Sequence, residues 1–378
     1  MRPEGAWLRA ALAAAGLALA AGCATTPRGG VDDGLRRAAA QLETEVQRWV
    51  RDRGVARKDG KSVHAMDLAP LLLYAAQRGD RELYLKVHAG VQPLILTGQS
   101  GTYTAGFVLW RRLPGLAPEI SGATEALWMA RALTAGAAAF DRPADRAQAL
   151  RVLDGYARHA FELQGIWLVR KYYAFAGSTF ASLGALPSYH ADFLDELERA
   201  GAQGDWRGLA ERSYAAIERT RNLSGLLDPV IQPEVGAGFP EMGLETYAPN
   251  DVTPLEDACL GAEGVARGRP RIGHGVLDFV LDRDHRRRGD KLWAYYDARS
   301  GAPVGDNSLS GTGYACLARL AVALGRRDAL AALLPPLREE MQRLGEVPQL
   351  SEAFLYSAGP MLLAAHAVGA LASPRPAP

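Results

Sequence analysis

Apolar residues recur at three- and four-residue intervals through nearly the whole chain after Asp32, the period that lays one face of an α-helix on a core. The spacing predicts helices over 32–53, 67–78, 80–96, 121–140, 143–163, 187–200, 204–222, 252–267, 273–287, 309–325, 327–343 and 351–371. Several neighbours are separated only by residues that stop one helix and start the next. "AAQRGDRELY" links the second and third, "AAFDRPADRA" the fourth and fifth, and "VALGRRDAL" the tenth and eleventh. A turn that short sets its two helices antiparallel, and twelve helices joined in this way make six hairpins.

Longer segments, rich in glycine and aromatic residues, fall at 97–120, 164–186, 223–251 and 288–308. They carry strand-like patches, "TYTAGFVLW" and "IWLVRKYYAF". Loops of this length at alternate junctions belong at one end of the array, where function usually sits. The expectation is an all-α fold, an (α/α)6 toroid of six helical hairpins with inner helices ringed by outer ones. It occupies residues 34–372 as one domain, with a cleft on the long-loop face.

Composition adds exclusions. The chain has 378 residues, 48% hydrophobic and 22% charged, a globular balance. Its formal net charge of +1 lacks the basic surface that phosphate backbones demand, so no nucleic-acid partner is expected. The seven histidines show no metal-ligand spacing, and no phosphate-cradling or dinucleotide glycine motif occurs, so neither metal nor cofactor is expected. Cys259 and Cys316 each sit in an apolar helical segment and read as buried small hydrophobes.

The beginning of the chain follows a different pattern. "MRPEGAWLRAALAAAGLALAAGC" places arginines around the start of an apolar run that is short for a bilayer span, which needs about 20 residues. Small residues directly before Cys23 resemble a bacterial lipoprotein signal. That resemblance implies removal of residues 1–22, lipid on Cys23, a membrane partner through that lipid, and a place in the cell envelope. Residues 23–33 then form a tether.

One helix raises a question of its own. "PEISGATEALWMARALTAGAAAF" (118–140) is almost wholly apolar, yet it keeps Glu125 near its start. With Ser121 or Thr124 as cap, Glu125 favours the helix dipole by about 0.3–1 kcal/mol. Alternatively, the helix opens into a cleft where a carboxylate has chemistry to do.

Serial order bears on that choice. "GATEALWMARALTAGAAAF", "STFASLGALPSYHADFLDEL", "GDWRGLAERSYAAIERT", "SGLLDPV", "NDVTPLEDACLGAEG" and "YYDARSGAPVGDNSLSGTGYACLARLAVALG" follow one another along the chain. In this order they resemble the family 8 glycoside hydrolases and their six-hairpin relatives, over roughly residues 60–370. The resemblance implies inverting hydrolysis of a β-linked, glucan-type polysaccharide. Two carboxyls about 6.5–9.5 Å apart divide the work, one protonating the leaving oxygen and the other activating water.

The family's acid is a Glu that opens an early inner helix, and the matching stretch "SVHAMDLAPLLLYAA" offers Asp67 and no Glu. Glu125 matches the acidic residue of the central sugar subsite. Asp251 matches the base, with Glu256 and Asp257 following it. Trp128, Trp167, Tyr172, Tyr173 and Tyr189 are the candidate rings for sugar faces. Two functions follow, both with a polysaccharide or oligosaccharide as partner. One is an envelope-anchored hydrolase of an exopolysaccharide or β-glucan; the other is a non-catalytic binding or export lipoprotein with a degenerate site.

Overall fold

The computed structural model describes residues 33–98, 103–163, 166–231, 251–282, 287–288 and 291–369. The leader, Cys23 and all of the tether except Asp33 lie outside the described residues. Twelve α-helices appear among the described residues. They are α1 (Asp33–Arg53), α2 (Ala65–Arg78), α3 (Arg81–Val91), α4 (Ala123–Phe140), α5 (Pro143–Ala157) and α6 (Ala191–Arg199), then α7 (Trp206–Arg219), α8 (Leu255–Glu263), α9 (Pro270–Leu281), α10 (Gly311–Ala323), α11 (Arg327–Glu346) and α12 (Phe354–Ala367).

The helices build the (α/α)6 toroid. Around the inside, α4 packs on α2, α2 on α12, α12 on α10 and α10 on α8. The single turn Leu186–Ser188, just ahead of α6, touches both α4 and α8 and completes the ring. Outside it, α3 lies on α2, α5 on α4, α7 on α6, α9 on α8, α11 on α10, and α1 on α11 and α12. Alanine explains much of the closeness. Ala126, Ala130, Ala315, Ala318, Ala364 and Ala365 are buried on the inner helices, and small side chains let helix axes approach. One contiguous apolar core runs from Leu35 to Ala365.

Short antiparallel strands sit ahead of most inner helices. Val63–His64 pairs with Arg111–Arg112, Ile120–Gly122 with Tyr172–Ala174, Gly184–Ala185 with Val230–Ile231, and Val252–Pro254 with Tyr295–Asp297. These pairings correct several sequence expectations. The helices expected from 121 and from 252 begin at Ala123 and Leu255, because the preceding residues give their backbone groups to a ladder instead. The helix expected over 143–163 ends at Ala157, and Ala160–Leu163 forms a hairpin with Ile166–Val169. The described parts of the long segments thereby gather where the inner helices start. One of them lies directly on α5: Gly106 has φ +83°, and a Cβ there would overlap the Arg151 carbonyl.

Cys259 and Cys316 are buried as expected, but they are not independent. The neighbouring helices α8 and α10 bring their Cα atoms to 6.1 Å, and the two cysteines form a disulfide. Nearby, Arg319 of α10 grips Glu263 of α8 with two hydrogen bonds of 2.8 Å and gives a third, of 3.2 Å, to the Pro360 carbonyl of α12. Burial alone would raise the Glu263 carboxyl; the Arg319 charge and hydrogen bonds overturn this and hold it low. Arg131 of α4 is held down to about 10, mainly by burial, with the Glu263 charge acting the other way.

Candidate active site at the inner helix N-termini

Helix α4 has no side-chain cap. Its N-cap is Gly122, Ser121 lies in the preceding strand, and the Thr124 hydroxyl shares a 2.8 Å hydrogen bond with Ser188. Neither residue fills the role expected of it. Glu125, half-buried in the first turn, folds back so that its carboxylate rests where a side chain on Gly122 would stand. Glycine at 122 is therefore a condition for this conformation. Burial pushes the Glu125 carboxyl up, against the pull of its own backbone N–H and the Lys171 ammonium. Lys171 is fixed beside the helix start, since its carbonyl accepts from Ala123 N–H at 3.0 Å.

A pair of carboxyls, Glu256 and Asp257, opens α8. Ser310 and Thr312, at the start of α10, donate to one Glu256 oxygen at 3.0 and 2.8 Å. Asp257 follows it in the same first turn. Burial first, and then the Glu256 charge, push the Asp257 carboxyl up to about 6, with Lys171 opposing them. The Lys171 charge thus acts on both Glu125 and Asp257. From α12, Tyr356 faces the same group. Its hydroxyl is raised by burial and by the charges of Glu256, Asp257 and Asp67. Four inner helices, α2, α4, α8 and α12, therefore direct acidic or phenolic groups from their first turns toward one end of the toroid.

The candidates from sequence meet different fates. Asp67 is 2% exposed and held by Arg57 through two hydrogen bonds of 2.7 Å, one to each carboxylate oxygen. The same hydrogen bonds are the main cause that raises the Arg57 guanidinium. Both Asp67 oxygens are engaged by one guanidinium, so neither is left free to meet a leaving oxygen, and the acid role expected of Asp67 does not fit this geometry. Asp251 is exposed, ahead of the strand Val252–Pro254. At roughly 3.3 Å per residue, the four steps from Asp251 to Leu255 set it about 13 Å along the chain from the start of α8.

Four of the five expected sugar rings are buried, which corrects that expectation: Trp128 at 5% exposure, Trp167 and Tyr173 at 7%, and Tyr189 at 1%. Trp128 lies beneath the Arg131 guanidinium, 4.5 Å from its ring centroid. Tyr189 stacks edge-on against Trp167 and accepts from Val169 N–H at 2.8 Å. Tyr173 packs among Phe107, Phe175 and Phe180. Tyr172 is half-buried and keeps a face to offer. Sequence reading missed Lys171, Tyr356 and Arg57, and it ranked Asp251 above Asp257. The position of Glu256 and Asp257 two and three residues after Pro254, a residue that favours helix starts, was the available signal.

No protein-family model matches the chain, and no curated protein matches it in sequence. Solved structures do match. An α-amylase from Clostridium perfringens aligns with a TM-score of 0.69 at 15% identity, over 91% of this chain and 99% of that one. A β-1,3-1,4-glucanase from Paenibacillus sp. X4 aligns at 0.65 and 9% identity, over 92% and 96%. The endoglucanase Cel10 of Klebsiella pneumoniae, a family 8 glycosyl hydrolase, aligns at 0.56 and 12% identity, over 80% and 99%. At these identities the likeness is one of fold, and that fold is the six-hairpin toroid of glycoside hydrolases.

Proposed function

We propose that the protein is a polysaccharide hydrolase held at the cell envelope, in which Asp257 protonates the leaving glycosidic oxygen and Glu125 activates water. The observation that carries this reading is the placement of two carboxyls, Glu125 and Asp257, in the first turns of the inner helices α4 and α8, where burial raises both and the charge of Lys171 acts on both. A general acid must hold its proton near neutral pH and give it up in the transition state, and a value of about 6 suits Asp257 to that task. Burial raises the Glu125 carboxyl, and its own backbone N–H and Lys171 oppose that rise without reversing it, so Glu125 holds its proton more tightly than an ordinary glutamate and becomes a base once that proton is lost. The substrate class is a glucan-type polysaccharide or exopolysaccharide, supported by the fold shared with the glucanases above and by the serial motifs of the sequence.

The test is hydrolysis of a panel of β-glucans, with the anomer of the first product read by proton NMR. Inversion is expected, because the two-carboxylate mechanism that admits a water inverts the centre. Glu125→Gln keeps shape and should lower turnover by roughly a hundredfold or more. A retained anomer would remove Glu125 from the base role, and an undiminished Gln variant would remove it from the site.

A second reading has its own support. Arg57 neutralises Asp67 at the position where the resemblance puts the acid, as it would in a binding protein that gave up catalysis. Tight oligosaccharide binding without hydrolysis by the wild type would favour that reading.

Envelope attachment rests on the "LALAAGC" leader and is supported by the Cys259–Cys316 disulfide, since such bonds persist mainly in oxidising compartments. Cys23→Ala should move the protein from the membrane fraction to the soluble one. Full retention in membranes would rule out lipid on Cys23 as the anchor.

A further inference from the structure

We propose that the Cys259–Cys316 disulfide is a positioning device for the acid of the reaction: it fixes α8 against α10 in the register that holds Glu256, and with it the first turn around Asp257. This rests on the reading that Asp257 is that acid. It assigns the two cysteines a role in the chemistry, beyond holding the fold.

Spacing along the two helices carries the proposal. On α8, Glu256, Cys259 and Glu263 are three and four residues apart, so they share one face; on α10, Thr312, Cys316 and Arg319 are four and three apart and do the same. Partners meet in order down these faces. Thr312 and Ser310 donate to Glu256 at 2.8 and 3.0 Å, the two sulfurs follow, and Arg319 then meets Glu263 at 2.8 Å. Each span is about 10.5 Å of helix, so α8 and α10 run parallel and in register from the cleft to the ion pair.

Only the middle link is covalent, and it lies about 4.5 Å along α8 from Glu256, less than one turn. Helix α8 needs it there. It has nine residues, its N-cap is Pro254, and no side chain caps its first turn. Hydrogen bonds at the mouth of a cleft exchange with water and give way when one helix slides past another. A disulfide between buried cysteines does not. Ser310 is itself fixed, because its hydroxyl caps α10 by accepting from Gly313 N–H at 3.2 Å. A slide of α8 would therefore draw Glu256 off donors that cannot follow. Asp257 would register the change, since burial and the Glu256 charge are what raise its carboxyl. Looser packing admits water and a displaced Glu256 repels less, and both lower it.

The experiment follows the Asp257 carboxyl by carbon NMR, its resonance assigned by loss in Asp257→Asn. It compares the oxidised chain, the same chain reduced by a phosphine under native conditions, and the double variant Cys259→Val, Cys316→Ala. The double variant refills most of the space of the two sulfurs without joining the helices, so the test does not depend on the reduced chain staying folded. The oxidised chain should titrate at about 6, and both open forms at about 5 or below. The falling limb of kcat/KM should move with the carboxyl, so that hydrolysis at pH 7.5 drops about tenfold. Glu263→Ala, at the far end of the same face, should lower stability and leave the titration at about 6. A carboxyl that still titrates at about 6 in the open forms would overturn the proposal, because the bond would then serve stability alone. So would a midpoint near 5 in Glu263→Ala, since any loosening of the ring would then have the same effect. A wild type that cleaves no glucan ends the hydrolase reading and leaves the titration to decide this one.

Discussion

The Asp257→Asn protein is expected to lose hydrolysis by about 10²–10⁴-fold, the usual contribution of a positioned general acid, and yet to unfold at a higher temperature than the wild type at pH 7.5. Both effects have one origin. Burial and Glu256 push the Asp257 carboxyl to about 6, from an ordinary value of 3.8. The folded chain therefore holds that proton more tightly than the unfolded chain does. Its contribution is fully present below about 3.8, declines as the pH rises toward about 6, and above that leaves the folded state carrying an unfavourable carboxylate.

Two units correspond to roughly 3 kcal/mol, and partial exposure of Asp257 reduces this to about 1–3 kcal/mol. Asparagine keeps the shape and removes the charge, so the gain should appear at pH 7.5 and vanish at pH 3.5. In the wild type, kcat/KM should fall as the pH rises past about 6, because the acid has lost its proton. Thermal melts at the two pH values and a pH–rate profile check both halves. A variant that is inactive and also less stable at pH 7.5 would mean that Asp257 holds the fold together rather than straining it.

Glu263→Ala is expected to cost about 3–5 kcal/mol, the range for breaking a buried ion pair by removing one partner. Glu263 is the counter-charge of Arg319, which it meets at 2.8 Å, and it also acts on Arg131. Side chains at 263 and 319 are 14% and 10% exposed, so water cannot replace what is lost. Truncating the acid leaves two guanidiniums inside the ring, on α4 and α10, without their anion. Urea denaturation with the Cys259–Cys316 bond intact measures the loss. Less than 1 kcal/mol would show that water or another acid reaches Arg319, and that the pair contributes little to closing the ring.

The hairpins were readable because an Ala- and Leu-rich period of 3.6 continues between short turns such as "QRGD" and "LGRRD". Helix starts were not, since they depend on partners far along the chain; Val63 finds its strand partner only at Arg112. Glu125 could be singled out because a lone carboxylate in an apolar helix needs a reason. Nothing local marks Arg57, in the loop after α1, as the residue that would claim both oxygens of Asp67. Aromatic rings announce themselves in sequence, but which of them keep a free face is decided by how the long segments fold back, and Tyr173 and Tyr189 were drawn inward. The disulfide joins cysteines 57 residues apart, and it becomes visible only when α8 and α10 are known to be adjacent.

Closure of the ring sets the order of assembly against the order of synthesis. Helix α2 is made early, but its inward flank is covered by α12, whose Gly359 lies so close that a Cβ there would stand 3.0 Å from the Leu71 backbone nitrogen. Until α12 emerges, the leucines of α2 have no complete surface to rest on, and α1 has neither α11 nor α12 beneath it. A nascent chain can form hairpins one by one, but it cannot commit to the toroid until the last of them arrives. A chain cut before Phe354 would therefore lose the closure itself, and with it the support of the helices made first.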